Sequence, residues 1–289
     1  MFARIFRIVL VEGYKITRQN LLYIALALIC LAVLGSVCAD KIFTSADEPT
    51  SGFTVLTRAA LNGFKIGAIL LLIFGSLMIA GEMTSGTIKM VLIRPYRRSE
   101  WILAKALTLM VLVLVTMVVV EIFGLLVVWQ AYAFTDVVDP IIKDYIHLEK
   151  AIMLRYLVYS FVLVILPLIA IALLGLFVSS LLEHVGGAVA IAILLYLALD
   201  YLVVGLFDNL ASYCFTYYLD WYLVTCGDLS QGILGEISKF QAIDQILGFE
   251  ASGEVDTIPL IKSIVVPLGY SLIFGIASLV VFKRKDILV

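Results

Sequence analysis

The sequence predicts an all-α membrane protein with six transmembrane helices and both termini cytoplasmic. Three observations carry that expectation. Hydrophobic residues make up 63% of the chain and charged residues 15%, against about 45–50% and 25% in soluble domains. The mean hydropathy is +1.12. The apolar residues are gathered into bilayer-length segments, and the bases collect at alternate breaks between them. Such a surplus does not fit a soluble core of 289 residues, because even large domains leave much surface in water.

Residues 1–20 come first. On a helix at 100° per residue, Arg4, Arg7, Lys15 and Arg18 share roughly an 80° arc, with Phe2, Ile5, Phe6, Val9 and Ile16 opposite. A basic stripe facing an apolar one suits a helix lying in the membrane interface. A soluble helix packed on the protein would show the same pattern, but a membrane span follows directly and favours the interface. No cleavable signal peptide is evident, since the segment is long, charged and amphipathic.

A span needs about 20 mostly apolar residues. Residues 21–39, 64–81, 106–129, 156–179, 187–207 and 263–282 qualify, each apolar all round. In lipid the backbone must satisfy its own hydrogen bonds, so these segments are expected as helices. With the N-terminus cytoplasmic, the inner side holds the bases of residues 1–20, those of 82–105, and Lys283, Arg284 and Lys285. The outer side holds fewer bases over longer loops: Lys41, Arg58, Lys65, Lys143, Lys150, Arg155, Lys239 and Lys262. The positive-inside bias therefore puts both termini inside.

The longest outer loop is 208–262. Within it, 209–226 is nearly apolar enough for a seventh span. It contains Asp220 and is crowded with Tyr213, Tyr217, Tyr218, Trp221 and Tyr222, which prefer the headgroup level. It reads as an interfacial or re-entrant segment, followed by one or two short helices. The loop 134–155 carries the Asp139-Pro140 turn signal and a short helix. Cys30, Cys38, Cys214 and Cys226 show no metal-ligand spacing. They are four isolated thiols, or Cys214 and Cys226 form a disulfide if the outer side is oxidising. The whole chain, 1–289, is one transmembrane domain.

Enzyme chemistry has no visible carrier. There is no G-x-x-x-x-G-K-[ST], no H-E-x-x-H and no G-x-S-x-G. Two acids fall within spans, Glu121 in the third and Asp200 in the fifth. A charge at membrane depth costs about 2.5 kcal/mol or more, so each lines a pathway, couples an ion, is a paired or protonated acid between helices, or snorkels outward from near the interface, as suits Asp200 near the outer end. Pro167 and Pro267 interrupt spans four and six. Gly35, Gly75, Gly124, Gly175 and Gly275 offer places for close helix approach.

Residues 82–105, EMTSGTIKMVLIRPYRRSEWILAK, hold Lys89, Arg94, Arg97, Arg98 and Lys105 against only Glu82 and Glu100. Gly86-Thr87 ends the second span, and Thr84 or Ser85 can cap a short helix after it. Pro95 would end that helix, and Ser99, Trp101 and Lys105 mark the entry to span three. A short helix tethered by two spans makes a lever. An ordinary positive-inside loop would have the same composition.

The run Glu82, Gly86-Thr87, Lys89, Leu92, Pro95, Arg98 and Lys105 resembles the cytoplasmic loop of bacterial type-two ABC transporter permeases. Glu12 with Lys15 and Arg18 is similar to that family's entry helix, and 282–287 to its tail. Arg97 stands where the family usually has Ser or Thr. The resemblance implies a multi-pass exporter subunit in the bacterial cytoplasmic membrane, not itself an enzyme. It implies pairing with a second permease subunit and with a separate ABC ATPase subunit that uses ATP and Mg. Residues 88–95 would be the coupling helix, and the loop at Glu183 and His184 a smaller contact. No nucleic acid and no directly bound cofactor or metal is implied. The alternative is an ion-gradient-driven carrier or channel working through Glu121 and Asp200.

Overall fold

A computed structural model describes residues 2–43, 51–87, 98–138, 146–204, 208–219, 243–244, 246–247 and 258–285. Its helices in chain order are α1 (Phe2–Thr17), α2 (Asn20–Phe43), α3 (Gly52–Thr84), α4 (Arg98–Ala131), α5 (Lys150–Leu181) and α6 (Val185–Leu197). A π-helical stretch, Ala198–Val204, continues α6. Short α7 (Asp208–Ala211), a 3-10 turn (Thr216–Leu219) and α8 (Ile258–Arg284) complete the order. Among the described residues five helices, α2, α3, α4, α5 and α8, are long and apolar enough to cross a membrane, and the chain is a multi-pass membrane protein. The sixth apolar segment, α6 with its π-helical continuation, is shorter.

Several helices outrun their predicted spans because polar groups outside the apolar run fix their ends. Ser51 caps α3, its side chain accepting from Phe53 N at 3.4 Å. The same hydroxyl donates to Thr135 O at 2.6 Å, and Gly52 N donates to Ala133 O at 2.9 Å. The start of α3 is thereby clamped to the exit of α4. Asp136 accepts from Lys150 N at 2.8 Å, capping α5 from fourteen residues away. These bonds satisfy amides that a helix start leaves open. At the other end of α3, Gly86 adopts φ +69, the left-handed conformation that terminates a helix.

The loop 134–155 differs from expectation. Val137–Val138 and Ile146–Leu148 pair as a small antiparallel ladder, β1 with β2, where a short helix is predicted. The β-branched and apolar residues there suit extended pairing. The described part of 209–226 is two short turns rather than a span. Phe215 is buried against Tyr270 of α8, ring centroids 4.9 Å apart. Cys214 lies 3.2 Å from the Thr216 hydroxyl. Cys226 lies outside the described residues.

Helix α3 is the centre of the bundle and packs on α5, α2, α4 and α6. Helix α2 turns Leu22, Ala25, Ile29, Val33 and Val37 inward, a helical period, and leaves its other faces apolar and exposed. The tightest crossing is α3 on α5. A Cβ on Gly75 would stand 2.4 Å from Ala172 O, and one on Gly175 would stand 2.4 Å from Leu72 O. Only glycine admits that approach. One turn along, Ser179 Oγ donates to Ser76 O at 2.6 Å and accepts from Ala80 N at 2.8 Å. Those two groups are the ends of one ordinary i→i−4 bond of α3. Gly124 meets Leu56, whereas Gly35 and Gly275 have nothing within 4 Å. Among the described residues, then, the last two do not sit at a close helix crossing.

Candidate functional site

Helix α1 has three faces rather than two. Ile5, Ile8, Glu12 and Ile16 are buried on the protein, at successive i+3 and i+4 positions. Phe6, Leu10 and Tyr14 are exposed and apolar, and Arg4, Arg7, Lys15 and Arg18 form the exposed basic face. Glu12 is the odd member of the buried face, and its partner explains it.

Lys105, on the first turns of α4, is fully buried. Its Nζ donates to Glu12 Oε1 at 3.2 Å and to Glu82 Oε1 at 3.0 Å, and sits 4.5 Å from the Trp101 ring centroid. Lys15 Nζ donates to the same Glu82 oxygen at 2.5 Å. Two acids and two bases thus bind α1 to the last turn of α3 and the first turns of α4. A charge without its partner here is strongly unfavourable, and a complete cluster offsets much of that cost. Trp101 also packs on Phe282 of α8, centroids 5.0 Å apart and ring planes tilted by 32°.

The remaining chain ends join this cluster. The Thr84 hydroxyl donates to Glu183 O at 3.0 Å and accepts from Val185 N at 3.2 Å. It therefore holds the α5–α6 turn, a role the sequence reading missed in treating it as a cap. Lys285 Nζ reaches Ser180 O at 3.4 Å and Leu181 O at 3.3 Å, with Glu183 Oε1 at 3.8 Å. Arg98 donates to Lys285 O at 3.1 Å. One end of the bundle therefore gathers α1, the exits of α3 and α5, the entries of α4 and α6, and the tail of α8.

Of the residues singled out from sequence, Glu82, Gly86, Thr87, Arg98, Glu183 and His184 meet at this end. Glu82 is buried, whereas Gly86, Arg98, Glu183 and His184 are exposed. The Thr87 hydroxyl lies 2.9 Å from that of Ser85. Lys89, Leu92, Pro95 and Arg97 lie outside the described residues, as does the expected coupling helix. Glu121 and Asp200 are not part of this cluster. Glu121 is buried on α4, which packs on α1, α2, α3, α5 and α8. Asp200 is half-buried on the π-helical stretch, whose neighbours are α6, α7 and the 3-10 turn. Sequence reasoning missed the four-membered charge cluster. The signal was Glu12, an acid at an i+4 step between the apolar Ile8 and Ile16.

The cluster has a testable pH signature. Burial pulls the Lys15 ammonium down, but the hydrogen bond and charge of Glu82, with the charge of Glu12, outweigh it and leave Lys15 above its ordinary 10.5. A base raised on folding contributes stability that is complete below its unfolded value and lost as pH rises through the folded one. Lys15→Met is therefore expected to be less stable than wild type by a constant margin from neutral pH up to 10.5, where Glu82 is ionised, with the margin shrinking above it. Unfolding in detergent across that range measures the margin. Lys15 is half-exposed, so screening keeps the margin small.

The chain matches no curated protein. The match to a family covers residues 39–288, so α1 and most of α2 precede it. The chain belongs to the family described as "Protein of unknown function (DUF2705)".

Proposed function

We propose that the chain is the membrane-spanning permease subunit of an ATP-driven exporter. It would have six spans, both termini cytoplasmic, and a separate ATPase subunit docked at the 82–105 hinge. The observation that supports this reading is the charge cluster of Glu12, Lys15, Glu82 and Lys105. It locks the two helices flanking the hinge to α1. A push on the hinge would then move α1, α3 and α4 together, and through Thr84 and Lys285 the ends of α5 and α8. The basic residues at the same end favour the cytoplasmic side. Resemblance of the hinge to the type-two permease loop names the motor as an ATPase.

Purification of the full chain from its native membrane tests the proposal. The expected result is a stoichiometric ATPase chain, with Pro95→Ala plus Arg98→Ala weakening its retention about tenfold, near 1.4 kcal/mol, while membrane insertion stays normal. A chain that purifies without any nucleotide-hydrolysing companion sinks the idea. The second reading is a carrier or channel driven by an ion gradient. It is favoured by the π-helical stretch at Asp200, a geometry frequent at functional sites, and by the buried Glu121. Solute movement in liposomes by the isolated chain under a proton or sodium gradient, without ATP, selects it.

A further inference from the structure

A cavity of about 950 Å³ opens between α1 and the ends of α3 and α4. Its wall is mixed: Arg7, Lys15 and Arg18 line it together with the apolar Val11, Leu21, Leu77 and Trp101. Asn20 and Leu21, also in the wall, are where α2 begins its apolar run. The cavity therefore offers basic and apolar groups together beside the start of a membrane-length helix.

Its charges do not cancel. Glu12 and Glu82 are matched by Lys105 and Lys15. Arg7 makes no ion pair among the described residues. The Arg18 guanidinium binds the Tyr14 hydroxyl at 2.6 and 3.0 Å, a neutral partner. Two guanidinium charges thus face the cavity unmatched. Guanidinium forks suit phosphate oxygens, and basic residues at a membrane surface attract anionic lipid.

We propose that this cavity holds one anionic phospholipid. Its phosphate lies against Arg7 and Arg18, and an acyl chain runs along Leu21 and Leu77. A zwitterionic lipid would bring its own ammonium towards two guanidinium groups and gain less. The proposal rests on the membrane character of the chain and not on the exporter reading, so either can fail alone.

Trp101 in the wall supplies the readout. The chain has three tryptophans, so Trp129→Phe with Trp221→Phe leaves Trp101 as the sole emitter. The full-length protein in mixed micelles is titrated with chain-brominated phosphatidylglycerol or chain-brominated phosphatidylcholine. The expected result is quenching at a lower mole fraction of phosphatidylglycerol. Arg7→Gln and Arg18→Gln should each weaken that preference about fivefold. Inorganic phosphate should not displace the lipid. Equal quenching by both lipids, displacement by phosphate alone, or an undiminished preference in both variants overturns the proposal. Should the variants fail to fold, wild type at low and high salt decides. A preference that shrinks with salt is expected, and one indifferent to salt overturns it.

Discussion

Lys105→Met unfolds at a markedly lower detergent-denaturation midpoint than wild type, losing about 3–5 kcal/mol, the cost of removing one partner from a buried ion pair. Lys105 has no exposed surface, and two carboxylates converge on its Nζ within 3.2 Å. Without the ammonium, Glu12 loses its cation and Glu82 keeps only the half-exposed Lys15. Methionine keeps an unbranched apolar stem, so the loss reports the charge of the ammonium, including its contact with the Trp101 ring, rather than volume. The cause is separable by a second substitution set. Lys105→Met with Glu12→Gln and Glu82→Gln removes the uncompensated acids and should recover most of the midpoint. If the triple variant is no better than the single one, the cluster is not what holds α1 in place.

Gly75→Ala and Gly175→Ala should each destabilise the protein by about 1–3 kcal/mol, the usual range for overpacking. Each new methyl would stand 2.4 Å from a carbonyl oxygen of the facing helix. Backbone cannot rotate away as a side chain would, so α3 and α5 must separate. Gly35→Ala is the control. With nothing within 4 Å of the added carbon, it should be neutral or stabilise by up to about 1 kcal/mol through helix propensity. Thermal unfolding of the three variants in one detergent gives the comparison. Equal effects at positions 35 and 75 would contradict the packing described.

The apolar segments were legible because lipid contact requires hydrophobicity on every face, a signal local to each segment. Helix starts were not. Ser51 and Asp136 act from polar stretches, and Asp136 reaches across a small β ladder no local pattern announces. The fifth predicted span, 187–207, emerged as a short α-helix continued by a π-helical stretch, a backbone choice hydropathy does not encode. At the candidate site, Glu82, Arg98 and Glu183 were picked out singly from charge and resemblance. Their mutual arrangement was hidden by distance along the chain, since Glu12 and Lys105 are 93 residues apart. The glycines illustrate the same limit. Gly35 and Gly75 look alike in sequence, and only the neighbouring helix distinguishes them.

The hydroxyl of Ser179, near the end of α5, gives the last turns of α3 a bond that does not depend on their own coil. Where Ser76 and Ala80 are already served from outside their own helix, the rod can flex without stranding an amide or carbonyl in oil. A bilayer core punishes such stranding by several kcal/mol per group. Here the bridging hydroxyl sits one turn from the Gly75–Gly175 crossing. A bend of α3 at that level would keep both groups bonded while the crossing stays pinned.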